Sequence, residues 1–390
     1  MEFITALAYL LFSATAFVTL YLFVFAVAGL FRKPAAYHPR NSRRLRKTAV
    51  FLPSYKEDAV IVDSAMRALE QCYPKSLFEV VVIADSLQPA TLAKLRALPI
   101  KLVEVVFETS TKSKALNAAL QQLDDQFEIA VILDADNVMA PDFLNRVNQA
   151  MEQGWKVVQG HRTAKNTNTG TAILDAVSEE INNHIFRRGH RVLGLSSALI
   201  GSGMAFDFSL FKGLMSEIQA IGGFDKELEM RLLKQRIRIE YLDEALCYDE
   251  KVQNAAVFEK QRTRWIAAQI KYLRLNFVPG LLHLLKGNID YFDKVLQTML
   301  PPRVMLLGGL VGATLLVWLM WGFSVLSWFV TAQLAMLVAT FYIATPAELR
   351  QKLGWREVSQ VPALFIRFFK SILKIGEAQK KFIHTPHGTE

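Results

Sequence analysis

Hydrophobic positions along the chain follow two regimes. Residues 3–31 run without a charge, long enough at 1.5 Å per residue to cross a hydrocarbon core of roughly 30 Å. A second uncharged region lies between Arg303 and Glu348. It is too long for one crossing and is broken at Trp321-Gly322-Phe323, so it predicts a helical hairpin. Between these regions short apolar runs recur at 49–53, 78–84, 102–107, 129–133, 156–159 and 237–242. Helical patterns separate the first four, for instance at 59–71 and 112–123. Near-continuous apolar strands alternating with helices predict an α/β domain with a mainly parallel, Rossmann-like sheet covered on both faces. Ligands in such a sheet collect at the carboxyl ends of its strands. Segments 276–300 and 361–375 read as helices lying along a membrane surface.

Composition agrees with this division. Of 390 residues 52% are hydrophobic and 21% charged, too apolar for an ordinary soluble protein and too charged to lie wholly in lipid. The net charge of +9 would suit nucleic acid. However, a basic run with no acid occupies 32–47, directly after the first apolar segment, which favours a membrane and no nucleic-acid partner. The positive-inside rule then puts the domain on the cytoplasmic side, and the hairpin returns the chain there, in keeping with the basic stretch 370–381. Glu2 ahead of the first span, and the span's length, argue against a cleaved leader. Cys72 and Cys247 form no CxxC pair or zinc spacing. The expected organisation is an N-terminal transmembrane helix (1–31), a basic linker (32–47), the soluble domain (48–275), interfacial helices (276–302), a transmembrane hairpin (303–347) and an amphipathic helix with a tail (348–390).

Polar groups stand where this sheet would present ligands. Pro53-Ser54-Tyr55-Lys56-Glu57 follows the first strand, Asp85 the second and Asp134-Ala135-Asp136 the fourth, while Lys112-Ser113-Lys114 opens a helix. In an extended strand, positions i and i+2 point the same way, so Asp134 and Asp136 are expected to aim two carboxylates at one point. That arrangement suits a hard divalent cation carrying phosphates. Gln261, Arg264 and Trp265 fall at i, i+3 and i+4, one face of a helix. A guanidinium there suits a diphosphate and an indole suits a sugar ring. An interfacial Arg and Trp near the membrane would explain that pair but not Gln261.

The order of these motifs resembles the processive family 2 glycosyltransferases of the GT-A fold, which include cellulose, chitin and hyaluronan synthases. Pro53 to Glu57, Asp85, Lys114-Ala115-Leu116-Asn117, Asp134/Asp136 and Gln261/Arg264/Trp265 appear in the family's order over most of the soluble domain. The resemblance implies that Tyr55, Glu57 and Asp85 hold the nucleoside and that Lys114 contacts the donor. It assigns Asp134 and Asp136 to the diphosphate and a Mg2+ or Mn2+ ion, and Gln261, Arg264 and Trp265 to the donor and acceptor sites. Gly201-Ser202-Gly203-Met204 matches an acceptor-site segment, with Gly203 allowing close approach. Counting back from Arg231-Leu232 puts the family's catalytic Asp on Asp225, with Phe224 where Glu is usual. Glu227 and Glu229 are rivals that also suit the acidic first turn of a helix over 226–234. Residues 382–387 are similar to the family's gating loop, which implies that Phe382, Thr385 and His387 cap the nucleotide.

The expected activity is an inverting transfer from a nucleotide sugar, a UDP-sugar by the resemblance, to a growing glycan at a bacterial inner membrane. A homo-oligomer or a translocation partner would complete the export path. Two alternatives stand beside it. A transferase loading polyprenyl phosphate would generally lack QxxRW, and a nucleotide-binding transport subunit would leave Asp225 and Trp265 unexplained.

Overall fold

The computed structural model describes residues 2–32, 44–218, 220, 222–253 and 255–363, together with 365, 366 and 369. In chain order the elements are α1 (Glu2–Gly29), β1 (Thr48–Tyr55), α2 (Ile61–Ala68), β2 (Phe78–Asp85), α3 (Pro89–Arg96), β3 (Lys101–Val105), α4 (Lys112–Gln122), β4 (Ile129–Ile132) and β5 (Val138–Met139). There follow α5 (Phe143–Glu152), β6 (Val157–Ala164), α6 (Gly170–Asn182), a π-helical turn (Asn183–Gly189), α7 (His190–Val192), β7 (Met204–Asp207), α8 (Phe208–Ser216), α9 (Phe224–Lys234) and β8 (Glu240–Asp249). Last come α10 (Ala255–Leu285), α11 (Ile289–Met299), α12 (Arg303–Trp321), α13 (Val325–Ala344), α14 (Ala347–Lys352) and α15 (Trp355–Val358).

The strands form one sheet in the order β3-β2-β1-β4-β7-β6-β8-β5. β1 to β4 are parallel, with β1, β2 and β4 as buried apolar runs and β3 as a partly exposed edge strand, whereas β7 runs antiparallel between β4 and β6. That four-residue strand follows Gly201-Ser202-Gly203 and is too short to show a period in sequence. β8 starts later than expected and runs on to Asp249, because Asp243 and Glu244 interrupt its apolar run where the strand is partly exposed. One face of the sheet packs on α4, α8 and α9 through Phe51, Phe206 and Phe211, and the other on α2 and α5 through Leu52, Ile61 and Phe143. All six are 0% exposed, and each contributes about 1.5–3 kcal/mol by leaving water.

α1, α12 and α13 are long and apolar enough to cross a membrane, and they pack together around Leu22, Leu310, Val330 and Leu337. The hairpin turns at Gly322, whose φ of 53° favours glycine. The membrane bundle is joined to the sheet domain by α6, which sends Val177 and Ile181 into the same cluster. Arg32 ties α1 to β8, pairing with Glu240 at 2.9 Å and Asp243 at 3.2 Å. The wide turn after α6 lets Gly189 approach the Phe25 carbonyl so closely that no Cβ would fit.

The segment expected to lie along the membrane at 276–300 divides in two. α10 runs past Pro279 to Leu285 with Leu275, Val278, Leu282 and Leu285 exposed, which suits an interface. α11 instead seals onto the sheet domain: Tyr291 is fully buried, its hydroxyl donates to Asn276 Oδ1 at 2.6 Å, and Asn288 donates to the Leu233 carbonyl at 2.8 Å.

Candidate active site

The carboxyl ends of β1, β2 and β4 open onto one cleft. In the β1/β2 register Tyr55 lies beside Asp85, and both strands leave the sheet through left-handed residues, Lys56 at φ 57° and Ser86 at φ 58°. Non-glycine residues in that region cost free energy and cluster at functional sites. The turn is locked by Lys56 N–H donating to the Asp85 carbonyl at 3.1 Å, and Ser86 Oγ donates to Asp85 Oδ1 at 3.0 Å. Glu57 and Asp85 are both buried there.

β4 ends at Ile132, so Asp134 and Asp136 sit in a turn and not on a strand. Their carboxylates are therefore not equivalent, contrary to the two-residue alternation of a strand. Asp134 keeps 37% of its side chain exposed, whereas Asp136 is buried and accepts the Glu250 N–H at 3.2 Å. Asn137 bridges inward, donating to Asp136 Oδ1 at 3.3 Å and to Asp249 Oδ1 at 3.0 Å. Ser202 Oγ accepts the Asp134 N–H at 3.0 Å and donates to Asn137 Oδ1, which fastens the Gly201–Gly203 loop to the acidic turn. Among the described residues no three His, Cys, Asp or Glu side chains form a ready-made metal cage. The donor set fits a hard cation that takes one or two carboxylates and completes its shell with phosphate oxygens and water.

Lys112 joins the two sides of the cleft. Its ammonium donates to Asp134 Oδ1 and, at 2.8 Å, to the Gly201 carbonyl, and lies 5.3 Å from the centre of the Phe224 ring. Lys114, expected at the donor, is exposed and donates to the Thr109 carbonyl at 2.8 Å. Thr111 caps α4 by accepting the Lys114 N–H, so Lys112 is the first helical residue and the one turned into the cleft. The sequence signal was present in the Lys112-Ser113-Lys114 group, but the cap decides which lysine enters.

Asp225 stands beside Gly201, whose Cβ position is 3.8 Å from Asp225 Oδ2. It lies in the first turn of α9, after Gly223 at φ 69°. Desolvation raises its carboxyl above the ordinary aspartate value, with Lys226 opposing, Glu229 reinforcing and Lys112 opposing. A raised carboxylate pKa suits a proton acceptor. The rivals are engaged elsewhere. Glu229 is fully buried and binds Lys226 at 3.1 Å and the Leu199 N–H at 2.9 Å. Glu227 pairs with Arg231 at 2.9 Å and accepts from Tyr272 at 3.3 Å.

On α10, Arg264 is close enough for Asp134 to bear on it: burial lowers its guanidinium pKa and Asp134 works against that. Trp265 is half-exposed, with the Arg262 guanidinium 4.1 Å from its ring centre while Arg262 also pairs with Asp175. The buried Gln261 Oε1 has no hydrogen-bond donor among the described residues, an acceptor available to a ligand hydroxyl. At Gly203, expected at the acceptor, the Cβ position is 3.2 Å from Cys247 Cβ, whereas that of Gly201 is 3.8 Å from Asp225 Oδ2. The expected gate, Phe382, Thr385 and His387, lies outside the described residues.

Behind Asp134 runs a buried ionic chain with no signature in sequence. Arg162 lies 3.8 Å from both Asp134 and Asp249 and 2.6 Å from Glu179, and Lys251 pairs with Glu179 and, at 2.7 Å, with Asp249. Burial alone would raise Asp249 and Glu179, but Arg162 and Lys251 hold both below the ordinary carboxylate range.

In comparison with known proteins, the family described as glycosyltransferase like family 2 matches residues 46–268. The chain belongs to that family. An N-acetylglucosaminyltransferase of Rhizobium meliloti is 24% identical over 63% of this chain and 61% of its own. A putative cellulose synthase 2 of Komagataeibacter xylinus is 26% identical over 70% of this chain and 18% of its own. This chain spans 16% to 61% of the length of these and the other curated relatives it matches. In fold it is similar to a mannosyltransferase of Pyrobaculum calidifontis solved with GDP-mannose and Mn2+, with a TM-score of 0.53 at 19% identity over 87% of this chain and 96% of that one. The sheet domain is accordingly a GT-A glycosyltransferase domain.

Proposed function

We propose that this chain is an inverting, membrane-anchored glycosyltransferase that moves a sugar from a UDP-sugar to a growing glycan. The observation that carries this reading is the convergence of Asp134, Lys112 and Asp225 on the Gly201 loop at the carboxyl edge of the sheet. In this reading Tyr55, Glu57 and Asp85 take the nucleoside beyond β1 and β2. A Mg2+ or Mn2+ ion held by Asp134 and Asp136 would supply neutralisation of the diphosphate. Arg264 adds a fixed cation on the same side. Asp225, its carboxylate poised by burial, accepts the acceptor hydroxyl proton as that oxygen attacks the anomeric carbon opposite the nucleotide. Gln261 and Trp265 receive the sugars, with the Gln261 carbonyl oxygen accepting from a hydroxyl and the indole offering an apolar face.

Three helices of spanning length and the exposed apolar edge of α10 support anchoring in a bilayer. The basic stretch after α1 supports a cytoplasmic catalytic domain at a bacterial inner membrane. The experiment is to incubate the purified protein in lipid with a panel of UDP- and GDP-sugars and analyse the products by mass spectrometry. A glycan extended with inverted anomeric configuration supports the reading. A retained configuration, or no transfer from any donor, rejects it.

A further inference from the structure

We infer that Lys112 is an internal counter-cation that holds Asp134 until metal and nucleotide arrive together, so that a divalent cation alone binds poorly and the donor diphosphate is needed to release the carboxylate. This rests on the proposed metal-assisted transfer. The backbone around Lys112 is fixed: Thr111 and Ser113 are buried, Thr111 caps the helix, and Ser113 Oγ donates to the Ala220 carbonyl at 2.8 Å. Its side chain is not fixed in the same way. It is 21% exposed, and among the described residues Asp134 is its one acidic partner.

Arg162, a second cation near Asp134, differs in each respect, being buried and held by Glu179 at 2.6 Å. A guanidinium locked in that manner cannot leave, whereas an ammonium on a four-carbon stem can rotate away. A divalent ion at Asp134 would therefore meet an ammonium of like sign occupying the same carboxylate. With no cage of three protein ligands among the described residues to outweigh it, the ion alone gains little. A diphosphate changes the balance, because its oxygens offer Lys112 a new anionic partner and complete the metal shell. The Phe224 ring lies 5.3 Å from the ammonium and offers it no carboxylate, so Asp134 and the Gly201 carbonyl hold it.

The test uses the full chain in detergent micelles and follows free Mn2+ by electron paramagnetic resonance, with and without UDP, and with GDP as a second nucleotide. In the unsubstituted protein Mn2+ alone should bind weakly and the nucleotide should tighten it. Lys112→Gln should tighten Mn2+ alone by about tenfold and shrink the nucleotide effect by the same factor, since coupling is reciprocal. Lys112→Arg keeps the charge and should behave as the unsubstituted protein does. If Lys112→Gln binds Mn2+ alone no more tightly while the nucleotide effect persists, or if Lys112→Arg mimics Lys112→Gln, the inference is overturned and the metal-assisted reading stands. If neither nucleotide promotes Mn2+ binding and Asp134→Asn changes nothing, both fall.

Discussion

The backbone N–H of Asp134 donates to Ser202 Oγ at 3.0 Å, so the turn that carries the acidic pair and the loop that faces Asp225 are parts of one rigid wall. Ser202 is fully buried and also donates to Asn137. Among the described residues, Ser202→Ala would leave the Asp134 N–H with only its long 3.5 Å bond to Asn137 Oδ1, which itself would keep only that bond and the 3.7 Å contact from Cys247 Sγ, at a cost of about 1–3 kcal/mol. For a domain of this size that is a fall of about 2–4 °C in thermal midpoint per kcal/mol. Thermal unfolding in detergent, with the donor KM measured in parallel, should show both a lower midpoint and a raised KM.

Asp225 and Glu227 separate proton transfer from helix stability. Asp225→Asn preserves shape but cannot accept a proton, so kcat should fall by about a hundredfold or more with donor affinity retained. Because desolvation raises the Asp225 pKa, the acidic limb of the kcat/KM profile should lie above the ordinary aspartate value of about 3.9. The linkage has the opposite sign from a salt-bridged carboxylate. The folded state holds this proton more tightly than the unfolded one, so stability is lost as pH rises through the window between the two values. Asp225→Asn should therefore melt no lower than the unsubstituted protein at pH 7. Glu227→Gln, which weakens the Arg231 pair and the Tyr272 hydrogen bond, should keep most of its turnover. The reverse pattern would move the base to Glu227.

Lys114 and Lys112 are distinguished by orientation alone. Lys114→Ala removes an exposed side chain bonded to a carbonyl of its own loop, and surface changes of that kind stay within about 0.5 kcal/mol. Its kcat/KM should remain within about twofold of the unsubstituted value in a steady-state assay. A loss of tenfold would return Lys114 to the donor site.

How much of this was readable beforehand depends on the range of the interactions involved. The parallel half of the sheet and the three long apolar helices follow from local periodicity, which is why β1, β2, β4, α1 and the hairpin at Gly322 fall where their sequences put them. Asp85 and Asp134 sit at or just beyond the ends of β2 and β4, whereas Arg264 lies within α10. Finer placement was not legible: Asp136 accepts the Glu250 N–H because β4 stops at Ile132, Lys112 meets Asp134 because Thr111 caps α4, and Gly203 packs on Cys247 where the antiparallel β7 begins. The chain Arg162-Glu179-Lys251-Asp249 joins β6, α6 and β8, and no local pattern announces a contact across such separations.

That ionic chain makes the last prediction. Glu179 is buried and shared by Arg162 and Lys251, so Glu179→Gln leaves two buried cations short of charge and should cost about 3–5 kcal/mol. Lys251→Met alone should also destabilise, because Glu179 and Asp249 would then rely on Arg162. In the double variant the neutral amide no longer needs the lysine, so the two losses should fall short of adding by about 0.5–3 kcal/mol, as expected for groups in one network. The pH dependence follows from the direction of the shifts. Glu179 and Asp249 lie below their ordinary values once Arg162 and Lys251 overcome burial. Their contribution is therefore complete above the unfolded values of about 4 and is lost as pH falls through the folded ones. The midpoint gap between Glu179→Gln and the unsubstituted protein should be widest near pH 7 and narrow as pH falls below about 4. Thermal midpoints of all four proteins in one detergent across that range decide it, and additive losses with a gap independent of pH would show that Arg162 is held beside Asp134 by packing alone.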